Sequence, residues 1–149
     1  MKDYFAKYRP DDSWLIKEGK WDKKMQPSRE SQFALGNGFI GSRGIMEEIP
    51  FGARPGTYIA GLYDKTGAQV TELVNLPNPI NLRIIVGGEK LGAGTMDILE
   101  HERNLDMRHG LLTRHTVYQS SHKKRFDYQS LRFVSMRNKH IIAMQLYIT

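Results

Sequence analysis

From Ser31 onward the chain never sustains an apolar run longer than a strand; short apolar stretches are broken again and again by Gly, Pro and Asn. The longest, residues 82–86 (with Arg83 among them) and 141–144, have strand length. This punctuation predicts many short strands and leaves little room for helices. The best helical candidate is the N-terminal segment through Asp22, and Pro10 breaks it early. Trp14-Leu15-Ile16 and Trp21 read as apolar anchors on a strand or an irregular arm.

Residues 31–35 and 39–43 flank Gly36-Asn37-Gly38. Asn-Gly between two such runs is a strong hairpin signal, because both central residues of a type I′ turn need positive φ. Residues 50–56 form a loop, 57–63 a strand, 64–67 a turn, and 69–74 resume extended structure. Asn75-Leu76-Pro77-Asn78-Pro79 is another break. Ile80, Leu82, Ile84 and Val86 then recur at period 2, and residues 87–90 make a second hairpin turn. Residues 96–99 are a short strand, and 104–109 a turn closed by Gly110. Residues 111–118 alternate between two faces, and 126–136 and 140–148 complete the set. About nine strands at this spacing predict an all-β fold, an antiparallel β-sandwich or barrel.

A chain of 149 residues suits one domain. At this size about 68–70% of the unfolded surface can be buried, so a real core is expected. No apolar run approaches a membrane span, and residues 1–12 lack the apolar stretch of a signal peptide. Cysteine is absent, which excludes a disulfide framework, thiolate zinc sites and thiol catalysis. A reducing, cytoplasmic location is expected. The net charge of +6 raises nucleic-acid binding as a class. Asp22, Glu47, Glu48, Asp97, Glu100 and Glu102 are interspersed with the basic residues, however, and only Lys23-Lys24 and Lys123-Lys124-Arg125 cluster. A solvated mixed surface is expected, with no nucleic-acid and no membrane partner.

Motifs with chemical meaning are sparse. Gly36-Asn37-Gly38-Phe39-Ile40-Gly41 matches G-x-G-x-x-G, but Gly44 and Pro50 leave under two turns for the helix that would hold a pyrophosphate. It reads as a Gly-rich hairpin. His101-Glu102 opens like H-E-x-x-H, yet Leu105 stands where the second ligand belongs. His109, His115, His122 and His140 sit in separate elements, so the histidines read as solvated or edge residues. Glu47 and Glu48 are adjacent; on a strand they would face opposite sides and could not flank one glycosidic bond. Asp97, Glu100, Glu102 and Asp106 read as surface charges. The aromatic residues, among them Trp14, Trp21, Phe39, Tyr58, Tyr63, Tyr118, Phe126, Tyr128 and Phe133, read mainly as core. No catalytic, cofactor-binding or metal-ligating residue is assigned.

Three stretches together are more specific. Glu30-Ser31-Gln32-Phe33-Ala34-Leu35-Gly36-Asn37-Gly38-Phe39-Ile40-Gly41-Ser42-Arg43-Gly44, with Glu47-Glu48 behind it, resembles the opening signature of glycoside hydrolase family 65. Thr57-Tyr58-Ile59-Ala60-Gly61-Leu62-Tyr63-Asp64 and Glu72-Leu73-Val74-Asn75-Leu76-Pro77 resemble its next block. Arg103-Asn104-Leu105-Asp106-Met107-Arg108-His109-Gly110-Leu111-Leu112-Thr113-Arg114 and Arg132-Phe133-Val134-Ser135 resemble the third. The family contains maltose, trehalose, kojibiose and nigerose phosphorylases and some hydrolases.

The resemblance implies that residues 1–149 are part of an N-terminal β-sandwich of the galactose-mutarotase-like supersandwich type. It implies that catalysis belongs to an (α/α)₆ barrel absent from these residues. There a Glu would protonate the glycosidic oxygen, and inorganic phosphate, the co-substrate, would attack the anomeric carbon with inversion. No other cofactor is implied. The expected partners are that barrel in the same parent chain and a second copy, as a homodimer or strand-swapped oligomer, because a partial sandwich exposes strand edges. The strand pattern of residues 141–149 ends without a polar tail, so the natural protein is expected to continue. Within the motif, Gly36, Gly38, Gly41 and Gly44 are expected to permit tight turns and close backbone approach. Arg43 is expected to pair with Glu47 or Glu48. The loops at 50–56 and 75–77 are expected to be solvent-exposed connections or to reach the barrel or a second subunit. From the residues alone, the alternative is a stand-alone carbohydrate-binding sandwich.

Overall fold

The structure, a computed structural model, describes residues 9–50, 52–65, 67 and 69–149. The first eight residues of the N-terminal segment, Phe51 of the 50–56 loop and Thr66 of the 64–67 turn lie outside the described residues.

The organising element is a five-stranded antiparallel sheet. It is built from β1 (Leu15–Glu18), β9 (Asp97–Asp106), β10 (Leu111–Gln119), β11 (Arg125–Val134) and β12 (Ile142–Ile148), in the order β1-β9-β10-β11-β12. The last four are a meander, so each strand finds its partner through a short connection. Asp106 helps close the first turn by accepting the His109 N–H at 3.0 Å, and Gly110 supplies φ +62°.

The intervening residues lie across one face of this sheet as small hairpins. β2 (Leu35–Gly36), β3 (Ile40–Ser42) and β4 (Thr57–Ile59) form a three-stranded unit. β5 (Tyr63–Asp64) pairs with β6 (Glu72–Leu73), and β7 (Ile85–Val86) with β8 (Glu89–Lys90). One seven-residue helix, α1 (Gln26–Gln32), opens on Pro27, whose fixed φ suits a first turn.

Two apolar clusters join the layers. Phe33, Leu35, Leu105, Leu112 and Val134 form one; Leu91, Met96, Tyr118 and Tyr128 form the other. The antiparallel pairing of the named strands and this two-layered core agree with the all-β sandwich expected from the punctuation.

Several local readings change. Ser31 and Gln32 end α1 rather than begin a strand. In the hairpin after it, only Gly38 has positive φ (+81°), and Asn37 N donates to Ile40 O at 3.1 Å. The central pair is therefore Gly38-Phe39, a glycine-first turn, not Asn37-Gly38. Asn37 serves as a clamp instead. Its Oδ1 accepts the Phe39 and Ile40 N–H groups (3.0 and 2.8 Å), while its Nδ2 donates to Ser135 O and Lys139 O (2.7 and 3.1 Å). The short strand expected at 96–99 is the start of the ten-residue β9, and the turn expected at 104–109 moves to 107–110. Among the described residues no helix is long and apolar enough to cross a membrane.

Candidate functional site

The face of the sheet beneath the hairpins is not a plain apolar surface. Its middle rows carry Arg103, Arg114 and Arg132, each with no more than 3% of its surface exposed. Arg103 and Arg114 are directly opposite each other on β9 and β10, an arrangement that repels unless anions intervene. Glu18 at the end of β1 and the turn at Glu47-Glu48 supply those anions, and all three carboxylates are buried. Three guanidiniums thus meet three carboxylates.

Arg114 is the centre. Its Nη1 donates to Glu47 Oε2 (3.0 Å) and Glu48 Oε2 (2.8 Å), and its Nη2 to Glu48 Oε1 (2.8 Å) and Tyr118 Oη (2.9 Å). Its guanidinium also lies 4.3 Å from the Tyr128 ring centroid. Tyr118 Oη donates to Glu48 Oε1 in a short contact. Glu47 accepts from Tyr128 Oη (3.1 Å) and Ser130 Oγ (3.0 Å), with Arg132 Nη1 at 3.7 Å.

Arg103 makes the second half. Its Nε donates to Glu18 Oε2 (2.9 Å), Nη1 to Gly44 O (2.7 Å) and Nη2 to Gln26 Oε1 (3.2 Å); the Gln26 amide in turn donates to Glu18 Oε1 (2.9 Å). The halves are joined through Thr116. Its hydroxyl accepts Arg114 Nε (3.1 Å) and contacts His101 Nδ1 (2.9 Å), and His101 Nε2 lies 3.3 Å from Glu18. With the Thr116 hydroxyl donating to Nδ1, the Nε2–H donates to Glu18.

The electrostatics follow from this closure. Burial pushes the Glu18 carboxyl upward, but His101, Arg103 and Gln26 outweigh it and bring it to about 2. Burial likewise opposes ionisation of Glu47, and Arg114 and Arg132 overcome it, so it too lies below the usual carboxylate range. Burial holds His101 below its ordinary value and therefore neutral near pH 7. Burial drives the Tyr118 and Tyr128 hydroxyls up, keeping them as donors. Chemically this is a closed salt core; Arg132 is its loosest member, donating from Nη2 to Ile45 O (3.1 Å) while its Nε and Nη1 make no hydrogen bond among the described residues. The core's carboxylates accept from arginine and tyrosine and are held out of solvent.

All three shifts act in the same direction on stability. The unfolded chain takes up protons at His101 below about pH 6.5 and at Glu18 and Glu47 below about 4.5, where the folded chain resists them. The stabilisation is complete above pH 6.5, declines as His101 protonates in the unfolded state, and is lost further from pH 4.5 down towards 2. A urea-midpoint series should stay level from pH 8 to 7 and fall steadily below 6. A midpoint unchanged between pH 7 and 4 would contradict this.

Several site residues stand elsewhere than the sequence indicated. Glu47 and Glu48 occupy a turn, not a strand, so both reach one guanidinium. Arg43 pairs with Glu30 (3.4 Å) and not with Glu47 or Glu48. His101 and Asp106 are buried, not solvated. His109 contacts Asp106 (2.7 Å), His115 contacts Asp127 (3.0 Å), and His140 lies edge-on to Phe39. Among the described residues no three His, Asp or Glu side chains gather as a metal site. Tyr118, Tyr128 and Phe33 are core, whereas Trp14 and Tyr63 are exposed. The Pro55–Thr57 backbone is tied down by Asn75, which accepts Thr57 N–H and donates to Pro55 O (both 3.1 Å), and Arg54 N–H donates to Glu30 (3.2 Å).

The comparisons with known proteins agree with this architecture. The model of the glycosyl hydrolase family 65 N-terminal domain matches residues 16–149. A kojibiose phosphorylase from Caldanaerobacter subterraneus subsp. tengcongensis is 38% identical over 139 residues, covering 93% of this chain and 18% of the relative. A nigerose phosphorylase from Lachnoclostridium phytofermentans is 35% identical, covering 92% of this chain and 18% of the relative. A solved structure named "Putative kojibiose phosphorylase from human microbiome" superposes with a TM-score of 0.83 at 23% identity, over 92% of this chain and 20% of its own, and shares the fold. The chain thus spans about a fifth of the length of the curated relatives it matches.

Proposed function

The chain belongs to the glycosyl hydrolase family 65 N-terminal domain family, and from that premise we propose that it serves as the non-catalytic scaffold of a disaccharide phosphorylase. The observation that carries this reading is the buried salt core. The buried carboxylates of Glu18, Glu47 and Glu48 are committed to Arg103, Arg114 and Arg132 and hold hairpins to a sheet. Catalytic carboxyls need an open position beside a substrate; Glu47 and Glu48 have none, and Glu18, at the wall of a groove, has its oxygens taken by Arg103, Gln26 and His101. The reacting groups then belong to a barrel in the same parent polypeptide. There a general acid protonates the glycosidic oxygen as the C–O bond breaks, and a phosphate oxygen bonds to the anomeric carbon with inversion. The substrate is an α-linked glucose disaccharide, and the names of the relatives favour kojibiose or nigerose over maltose or trehalose. The absence of cysteine fits a reducing cytoplasm.

The same proposal covers the partners. β12 pairs with β11 on one edge and, among the described residues, with no strand on the other. All of its residues remain only partly buried, including Ile142, Leu146 and Ile148, which pack against the core clusters. This edge is suited to another strand, from the parent polypeptide or from a second copy. The exposed Arg54 loop is the segment proposed to meet the barrel or a second subunit.

The test is phosphorolysis. A polypeptide joining this chain to its barrel should release glucose and glucose 1-phosphate from kojibiose or nigerose in inorganic phosphate, whereas the 149-residue chain alone should not. Turnover by the chain alone would overturn the reading.

A further inference from the structure

β1 covers β9 only from Arg103 to Asp106, and the chain leaves the sheet at Gly19. Trp21 then turns back to lie edge-on to His101, with ring centroids 5.8 Å apart at 76°. Between Trp21 and the uncovered part of β9 runs a groove of about 530 Å³, within the usual size of small-molecule sites. Its lining is of two kinds. Trp21 and Leu99 give apolar surface; Leu99 is the extra residue of a β-bulge, since Tyr118 opposes Ile98 while Val117 opposes Glu100, and it is 42% exposed. Glu100, Glu102, Asn104, Lys17 and Lys20 give acceptors and donors of both signs. Asn104 Nδ2 donates to Glu102 (2.7 Å), while its Oδ1 is out of solvent with no hydrogen-bond partner among the described residues.

We propose that this groove is a second, non-catalytic carbohydrate site, taking an α-linked glucose disaccharide. Its choice of disaccharide rests on the phosphorylase reading above. A pyranose ring is amphipathic: its C–H face lies against an indole or an isobutyl group, and its rim of vicinal hydroxyls donates to carboxylates and accepts from ammonium. Glu100 and Glu102 are balanced by Lys17 and Lys20, so the groove gives no net advantage to an anionic or a cationic ligand. A neutral polyol is the class that uses both the apolar wall and the mixed charges. Such a site would hold substrate near the parent enzyme without taking part in bond breaking.

The test is a titration of the 149-residue chain with kojibiose and with nigerose, followed by ¹H–¹⁵N NMR. The Trp21 indole N–H and the Leu99, Glu100 and Glu102 amides should shift together and saturate in roughly the millimolar range. The Trp14 indole, at the far end of β1, is the internal control and should not move. Trp21→Ala should weaken binding at least about tenfold. Because Trp21 also touches His101, Glu100→Ala, an exposed substitution, supplies an independent variant and should weaken binding without lowering the urea midpoint. No shift with either sugar, or binding that survives both substitutions, overturns the proposal. Shifts in the chain beside a parent polypeptide that does not phosphorolyse would leave the groove standing and remove the phosphorylase reading; phosphorolysis without shifts would do the reverse.

Discussion

Replacing Arg114 by methionine should cost the fold about 3–5 kcal/mol, the price of stranding a buried charge without its partner. Methionine fills much of the volume of the arginine stem, so the loss is electrostatic rather than a cavity. Glu47 and Glu48 would lose their shared cation together, and Tyr118 the donor beside it. A domain of this size has about 5–15 kcal/mol of stability in total. R114M should therefore unfold at far lower urea, or populate an unfolded fraction at 25 °C, as read by far-UV circular dichroism. Combining R114M with E48Q removes the carboxylate left without a cation, while Glu47 keeps Arg132, and should recover part of the loss. An R114M chain as stable as its parent would show that the salt core does not hold the hairpins to the sheet.

Gly44→Ala should be nearly as damaging for a steric reason. A Cβ at Gly44 would overlap the Phe33 carbonyl and the Phe33 Cβ. The backbone cannot step aside, because Gly44 N donates to Glu30 O (2.7 Å) and Gly44 O accepts Arg103 Nη1 (2.7 Å). Overpacking of this kind costs about 1–3 kcal/mol, and the loss of a charge-assisted hydrogen bond adds roughly 1.5–3 kcal/mol. Gly41 is the matched control. It belongs to the same Gly-rich run, has no positive φ, and a Cβ there would meet nothing within 4 Å. G41A should leave the urea midpoint unchanged or raise it slightly. Equal effects at the two positions would refute the close-approach argument.

The contrast between those glycines also marks how far the sequence could be read. Its run of glycines pointed to turns and close approaches, and the structure divides these roles: Gly38 for the turn, Gly44 for the approach. Strands β10, β11 and β12 were legible because their alternation is long. β9 was not, because inward positions 101 and 103 are His and Arg, which read as solvent-facing. The salt core was missed for the same reason. Charges on a strand normally signal an outer face, and no local pattern tells which ones find buried partners nearly 70 residues away, as Arg114 does in Glu47 and Glu48. A carboxylate pair sitting in the family-like signature was the one available hint. Helix α1 was missed because seven residues led by Gln-Pro are too short to show a period.

The alternation Leu112, Arg114, Thr116, Tyr118 has a further consequence for how the chain folds. Hairpins formed by apolar residues alone tolerate sliding, since one valine replaces another at modest loss. Here a slip of one position would turn Arg114 to water and bring Thr113 and His115 beneath the Glu47-Glu48 turn, leaving two carboxylates in a dry layer with Arg132 alone to face them. The salt core thus acts as a proofreading device. The meander can zip up early from local contacts, but only the in-register form accepts the docking of the residue 43–48 segment, and misaligned forms are driven back to reopen.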